Sequence, residues 1–583
     1  MQFLLAAVNA KYIHSNPAIY SLKSYAGREL QRHIAIAEYT INNKTEEILG
    51  DLYRRQPDVI GFSCYIWNWR LVRELLWELP KVLPGTELWL GGPEVSFDAE
   101  KILEDFPMVR GIMAGEGEET FKELLSFYIA RERHDGLRGI PGLVLRSGST
   151  GPRALADMDE LPFLYDNLQD FKNRIIYYET NRGCPFRCGY CLSSIDKRVR
   201  LRSLPTVKKE LQFFLDKRVP QVKLVDRTFN CSHGHAMEIW RYIQEHDNGV
   251  TNFHFEIAAE LLNEEELAIL KGMRSGLVQL EIGVQTTNRE TLAAINRSGD
   301  TASIARAVAE INGGRNIHIH LDLIAGLPFE GYESFKKSFN EVYAMEPLQL
   351  QLGFLKVLKG TPIREKAEEY GIVWQEEPPY EVLYTKWISY REILKLKQVE
   401  EMVEVYYNSN QFTHTLAVLE KGFPGAFELY EGLAAYYEEK GYFVNSPARS
   451  SRYQVLLEFI KERMPEAEEL YRELLTFDYY LRENAKSRPE FGRDLSPWRD
   501  EIWEFYQKEE ERPEFLGAYG QYHARQMMKM THMEAFFYPV WENENCGPGS
   551  RMQEPELVLF DYRERDALTG NAKAQRISDG VNI

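Results

Sequence analysis

Short apolar runs alternate with amphipathic stretches through the first two thirds of the chain, and this alternation constrains its fold more than any other feature. Residues 2–8, 35–41, 58–63, 87–90 and 109–113 read as strands, with helices at 17–30, 45–54 and between the later strands. Strands alternating with helices predict a parallel sheet of βα units. In an open sheet of this kind ligands sit beyond the carboxyl ends of the strands. Those ends carry residues 9–16, 63–68, 91–94 and 115–118, where glycine, hydroxyl and carboxylate groups collect. The plainer reading of the Gly91-Gly92 pair and the Gly-Glu-Gly-Glu run is that they are tight turns. A small strand at 139–145 and an acidic, proline-containing connector at 157–164 follow. The alternation resumes with strands at 174–180, 221–225, 252–257, 278–283, 318–324 and 349–355. Six such units suggest a partial barrel, again with its sites at the strand C-termini. Near residue 376 the character changes. Helical periodicity rich in aromatics and glutamates covers 376–400, 424–439, 455–481 and 495–508. Two strands at 533–541 and 556–563 then flank a Gly/Pro/Asn-rich loop, and a polar tail from about 567 reads as frayed.

Composition removes several classes. The net charge of −18 over 583 residues argues against nonspecific binding to nucleic acid or an anionic membrane. The apolar run at residues 3–8 is far short of the roughly 20 residues of a membrane span, and no basic segment precedes it as in a signal peptide. Six cysteines in so long a chain are no disulfide framework. Cys231 and Cys546 read as inert thiols, whereas Cys64 is expected at a strand end facing a ligand. The other three fall within eight residues, in Arg182-Gly183-Cys184-Pro185-Phe186-Arg187-Cys188-Gly189-Tyr190-Cys191. Three thiolates on one loop after a strand can hold three irons of a cubane cluster and leave the fourth iron open for an exogenous ligand. A zinc knuckle would need a fourth ligand. Cys231, His233 and His235, the nearest candidates, lie about 40 residues on without a matching Cys-x-x-Cys pair.

The cysteine motif resembles the signature of radical S-adenosylmethionine enzymes. The N-terminal part resembles the cobalamin-binding domain often fused ahead of that core. Together, over about residues 1–375, they resemble the cobalamin-dependent radical S-adenosylmethionine family. The C-terminal part, with the opening NAKYIHSNPAIYSL, resembles a subgroup whose last domain has no assigned role. The fold so implied is α/β in three parts. A Rossmann-like cobalamin-binding domain with linker would occupy 1–165, a partial (β/α)6 radical core 166–375, and a mainly helical domain ending in a β-hairpin 376–583. The resemblance implies that Cys184, Cys188 and Cys191 hold a [4Fe-4S] cluster and that S-adenosylmethionine chelates its open iron. Tyr190 would lie along the adenine, and Asp226 near the methionine moiety. Glu281 and Gln285 would meet the ribose and carboxylate, and the strand and turn from Asp322 through Gly326 to Pro328 would pack on the adenine. The alternatives are that Asp226 caps a helix, that Glu281 is an interior ion partner, and that the Gly-Leu-Pro turn is structural.

The Asp-x-His-x-x-Gly loop that puts a histidine on cobalt in other cobalamin domains is absent; residues 9–14 stand in its place, with His14 as a candidate ligand or a hydrogen-bonding residue. Ser63, Gly91, Gly92, Glu116 and Gly117 are expected to line the corrin and its tail, small residues permitting close approach of a flat macrocycle. His532 and Glu534, two apart on an expected strand, read as an acid–base pair or as a surface hydrogen-bonded pair. Met527, Met528, Met530 and Met533 read as core filling. The basic stretch from Lys197 to Arg202 meets an acidic substrate or solvates the loop. The expected function is radical methyl transfer to an unactivated carbon, with a flavodoxin- or ferredoxin-type reductant as partner in a reducing cytoplasm. A nonmethylating radical rearrangement or ring closure and a cobalamin- or redox-sensing protein are the alternatives. The substrate class (peptide, small molecule, lipid or RNA) is open, with RNA disfavoured by the acidic balance.

Overall fold

The computed structural model describes residues 1–130, 134–195, 198–578 and 580–581. Lys197, the first residue of the basic stretch, lies outside them. Two compact units divide the chain: 1–314 with 324–331 and 353–390, and 315–323 with 332–352 and 391–583.

The first unit opens with a sheet of β1 (Phe3–Asn9), β2 (Ile34–Thr40), β3 (Val59–Ser63), β4 (Glu87–Gly91), β5 (Val109–Met113), β6 (Leu143–Leu145) and β7 (Gly148–Ser149) in the order β2-β1-β3-β4-β5-β6-β7. The first five strands pair in parallel, and β6 and β7 add antiparallel edges. Every residue of β1 is buried because both faces are covered. Leu4, Ala6 and Val8 enter one core and Phe3, Leu5 and Ala7 the other. Full burial of such a side chain contributes about 1.5–3 kcal/mol, so this sheet is held mainly by its two apolar layers. The helix Pro17–Tyr25 starts where the sequence dictates: Asn16 accepts from the Ile19 amide and Pro17 opens the first turn.

The same unit contains β8 (Ile176–Tyr178), a ribbon of β9 (Asn181–Arg182) with β10 (Arg200–Leu201), and β11 (Gln221–Leu224), β12 (Asn252–Ile257) and β13 (Val278–Gln285). Strands β8, β11, β12 and β13 are parallel neighbours in that order. In β11 and β13 burial alternates, so Val222, Leu224, Leu280 and Ile282 enter the core and Lys223, Gln279 and Glu281 share the other face. β14 (His318–Ala325) and β15 (Gln349–Phe354) complete the six strands expected in the chain.

Three expectations change in the later residues. The helix expected over 376–400 begins only at Tyr390; before it stand β16 (Val373–Trp374) and β17 (Val382–Tyr384), because Pro378 and Pro379 lack amide donors and disfavour helical residues ahead of them. The run at 455–481 is two helices, Arg452–Arg463 and Glu468–Arg482, parted at Pro465. The terminal hairpin is a three-stranded antiparallel sheet of β18 (Thr531–Phe536), β19 (Glu556–Arg565) and β20 (Ala572–Arg576). The tail expected to fray supplies β20, where buried Ala572 and Ala574 alternate with polar residues. Among the described residues no helix is long and apolar enough to cross a membrane.

Candidate active site

Strand order in the first sheet reverses between β1 and β3, and in such sheets the crevice at that switch point receives the ligand. A cavity of about 690 Å³ lies there. Its walls include Asn9 at the end of β1 and His14 after it, Tyr65 and Trp67 after β3, and Tyr177, Glu179, Asn181 and Gly183 at and beyond the end of β8. The strand ends of the two sheets in the first unit thus face one space.

Polar contacts fix that apposition. His14 Nδ1 lies 2.5 Å from the Tyr177 hydroxyl, the Ser15 hydroxyl donates to the Ile175 carbonyl, and the Ile175 amide donates to the Ile13 carbonyl at 2.9 Å. Buried Glu38 accepts from Asn9 Nδ2 (2.9 Å), the Asn16 amide (3.1 Å), the Tyr20 hydroxyl (2.7 Å) and the Arg174 guanidinium. Arg182 pairs with Glu118 (2.7 Å), Glu179 (2.9 Å) and Glu116 (3.7 Å). Tyr65 stacks on Trp67 with ring centroids 4.4 Å apart, and Trp67 Nε1 and Asn68 Nδ2 both donate to the Val8 carbonyl. Burial, helped by the charges of Lys11 and Lys223, lowers the His14 pKa, so this imidazole is neutral at pH 7.

The cysteine loop is the excursion between β9 and β10. It begins at Gly183, whose φ of +92° and position 2.2 Å (as a built Cβ) from the Arg198 carbonyl oxygen exclude any side chain. The Gly189 amide donates to the Ile295 carbonyl (2.7 Å), its carbonyl accepts from the Ile363 amide (2.9 Å), and Asn296 Nδ2 donates to the Arg187 carbonyl (3.0 Å). Cys184 and Cys188 are buried and Cys191 is half-buried, all three as free thiols. Among the described residues, no trio of ligand atoms within 4.8 Å of one another includes these sulfurs. A single tetrahedral zinc with Zn–S near 2.3 Å would draw all three thiolates to about 3.8 Å of one another, closer than this loop holds them. Arg297 Nη1 donates to Cys188 Sγ at 3.6 Å, and its Nη2 donates to the Gly283 carbonyl. Burial raises the Cys188 thiol pKa and the Arg297 charge opposes it.

Tyr190 is half-buried within this loop. Asp226 is fully buried and accepts from the Thr180 amide (2.8 Å), the Thr180 hydroxyl (2.6 Å) and the Asn181 amide (2.8 Å); it buttresses the strand end instead of capping a helix. Burial nevertheless raises its pKa to about 7. Glu281 sits on the polar face of β13, 3.1 Å from Lys223 Nζ and 3.1 Å from His254 Nε2. The Gln285 side chain folds back over Gly283, where a built Cβ would stand 2.2 Å from its Nε2. Gly326 takes φ +84° in a turn against Val382.

Of the residues expected round the corrin, Glu116 lines the cavity and pairs with Arg200; burial raises its pKa, but Arg200, the Ala156 amide and Arg182 hold it below the usual carboxylate range. Ser63 does not line the cavity; it is buried at the end of β3, its hydroxyl accepting from Asn16 Nδ2. Gly91 and Gly117 have their spare space beside Met113 and Leu22, and Gly92 (φ +106°) has the Cys64 carbonyl oxygen 2.5 Å from where a Cβ would stand. At Gly92, then, the small residue admits the neighbouring backbone. Cys64 itself points into the apolar core, fully buried, and does not face the crevice.

In the second unit His532 and Glu534 do pair, at 3.0 Å, but not at the surface. Glu534 is buried, held by Arg488 at 2.8 and 2.9 Å, and Tyr480 stacks on the imidazole. Met527 and Met533 fill the adjoining core, whereas Met528 is exposed. Sequence reasoning missed Asn181, Arg182, Glu38 and Arg297. Of these, Arg182 and Asn181 adjoin the cysteine motif, whereas the partner of Arg297 lies 109 residues away.

Three family models match the chain: a B12 binding domain at residues 4–125, the radical SAM superfamily at 178–342, and a protein of unknown function (DUF4080) at 368–560. The cobalamin-dependent radical SAM methyltransferase TokK of Streptomyces tokunonensis is 26% identical over 350 residues, 54% of this chain and 50% of that protein. The 2-(S-pantetheinyl)-carbapenam-3-carboxylate methyltransferase of Streptantibioticus cattleyicolor is 26% identical over 355 residues, 55% of this chain and 51% of that protein. The chain thus spans about half the length of these relatives. The solved structure of the cobalamin-dependent S-adenosylmethionine radical enzyme OxsB, with aqua-cobalamin and S-adenosylmethionine bound, superposes with a TM-score of 0.54 at 17% identity, over 82% of this chain and 78% of that one. With the switch-point cavity and the cysteine loop opening onto it, these likenesses show that the chain joins a B12-binding domain, a radical SAM domain and a DUF4080 domain, and is homologous to cobalamin-dependent radical SAM methyltransferases.

Proposed function

We propose that this protein is a cobalamin-dependent radical S-adenosylmethionine enzyme that transfers a methyl group to an unactivated carbon. The observation that carries the reading is that the strand ends of the B12-binding domain and the approach to the cysteine loop line one cavity. When bound, a [4Fe-4S] cluster, S-adenosylmethionine and cobalamin would supply a carbon-centred radical and a transferable methyl group.

The chain's own residues would then do the following. Cys184, Cys188 and Cys191 hold the cluster, with Gly183 and the Gly189 backbone bonds setting the loop's course. Arg297 donates an N–H to the Cys188 sulfur, a charge-assisted bond once that sulfur is a thiolate. Asp226 fixes the Thr180–Asn181 backbone from which the loop departs. Tyr190, Glu281, Gln285 and Gly326 serve S-adenosylmethionine, and Ser63, Gly91, Gly92, Glu116 and Gly117 the corrin side, Gly91 and Gly92 by shaping the loop after β4. Tyr65, Trp67, Phe163 and Tyr165 give the cavity apolar walls that limit water. Residues 1–165, 166–375 and 376–583 act as cobalamin, radical and substrate-selecting domains. A reductant of the flavodoxin or ferredoxin class supplies electrons, and the oxygen-sensitive cluster suits a reducing cytoplasm.

The test is anaerobic reconstitution with iron, sulfide and hydroxocobalamin, reduction, and addition of S-adenosylmethionine. Methyl transfer predicts S-adenosylhomocysteine together with 5′-deoxyadenosine. 5′-Deoxyadenosine alone would turn the reading to a nonmethylating rearrangement, and neither product to a sensing protein.

A further inference from the structure

Asn181 is an anomaly among the residues that line the cavity. The residue is 2% exposed, and neither Oδ1 nor Nδ2 of its carboxamide has a hydrogen-bond partner among the described residues. Its neighbours are all provided for. The Asn181 amide is held by Asp226, Asn9 Nδ2 bonds Glu38 and the His14 carbonyl, Asn16 Nδ2 bonds Ser63, and Arg182 has three carboxylates. Leaving a buried donor and acceptor unmade keeps the full desolvation cost of each group with nothing to offset it. A chain gains nothing from that unless something outside it completes the bonds.

The place of the residue says what completes them. Asn181 belongs to the wall of the 690 Å³ cavity, across from the loops after β1 and β3 at the sheet's switch point. A carboxamide presents one acceptor and two donor hydrogens side by side, a pattern matched by another primary amide in a paired arrangement. Cobalamin carries primary amides round its corrin edge. We infer that Asn181 binds cobalamin by pairing its carboxamide with a peripheral corrin amide, and so fixes the macrocycle against the start of the cysteine loop. This rests on the proposed cobalamin site.

Stability and affinity then move in opposite directions, which no structural asparagine would do. Asn181→Leu removes an unsatisfied buried amide, so the cobalamin-free protein gains thermal stability. The same change weakens hydroxocobalamin binding about tenfold or more, because a corrin amide now faces a methyl group. Asn181→Ala, which leaves room for a water, falls between the two.

The experiment is an anaerobic titration of the iron-loaded full chain with hydroxocobalamin, followed by absorbance, beside melting curves with and without the corrin. Equilibrium dialysis with S-adenosylmethionine on the same samples is the second arm. Weaker corrin binding by Asn181→Leu, unchanged S-adenosylmethionine binding and a higher cobalamin-free melting temperature are the expected result. Equal cobalamin affinity in wild type and both variants would overturn the inference, as would a loss confined to S-adenosylmethionine. A lower cobalamin-free melting temperature in both variants would mark Asn181 as structural and overturn it too. A wild-type protein that retains no cobalamin at all would instead defeat the functional reading beneath it.

Discussion

The two sheets of the first unit are built on different plans. In the N-terminal sheet β1 and β3 are buried throughout, their alternate residues entering two apolar layers. In the central sheet β11 and β13 alternate, and the polar side carries Lys223, Gln279 and Glu281. A sheet covered on both faces has room for chemistry only past its strand ends, which is where Asn9, Ser63 and Glu116 lie. A sheet with one polar face keeps ionisable groups along the strands as well, and Glu281 with its Lys223 and His254 partners shows this. The first plan carries stability; the second gives up apolar burial for a reactive surface.

Substitutions in each sheet should separate these roles. Cys188→Ala is expected to have the largest effect, abolishing the iron–sulfur absorbance and 5′-deoxyadenosine formation while leaving cobalamin retention in place. Phe3→Ala, at a fully buried ring packed against Phe121, should do the reverse, costing about 3–5 kcal/mol in denaturant unfolding with cluster content per folded chain unchanged. Arg182→Met strands buried Glu118 and half-buried Glu179, and should lower unfolding free energy by about 3 kcal/mol. Asp226 gives the smallest effect and a pH signature. Its folded-state pKa of about 7 exceeds the ordinary 3.8, so the native protein binds the extra proton between those values. Stability is therefore lost as pH rises from about 4 to 7. Asp226→Asn should flatten that slope and raise stability at pH 8 by about 1–2 kcal/mol, read as the denaturation midpoint against pH.

How far the sequence disclosed this follows from the range of the forces involved. Strand positions such as 109–113 and 252–257 were legible because hydrophobic alternation is local, and the cysteine loop because its three cysteines lie within eight residues. The split of the 455–481 helix at Pro465 carried a local signal that periodicity outweighed. By contrast, several pairs that tie the first unit together join distant segments. Arg174 meets Glu38 across 136 residues, and Lys359 and Tyr380 reach Glu94 across 265 and 286. No spacing rule links such residues. Nor does a sequence show that Gly92 yields to the Cys64 backbone, or that Asn181 lacks partners, since both depend on what surrounds the side chain.

The central claim is that one cavity brings a cobalamin beside the cysteine loop. Iron and corrin counted on the same anaerobically reconstituted, gel-filtered chain test it most directly. The account predicts about four irons and one cobalamin per chain, with Cys188→Ala losing the iron and keeping the cobalamin. Full iron with no retained cobalamin would contradict it.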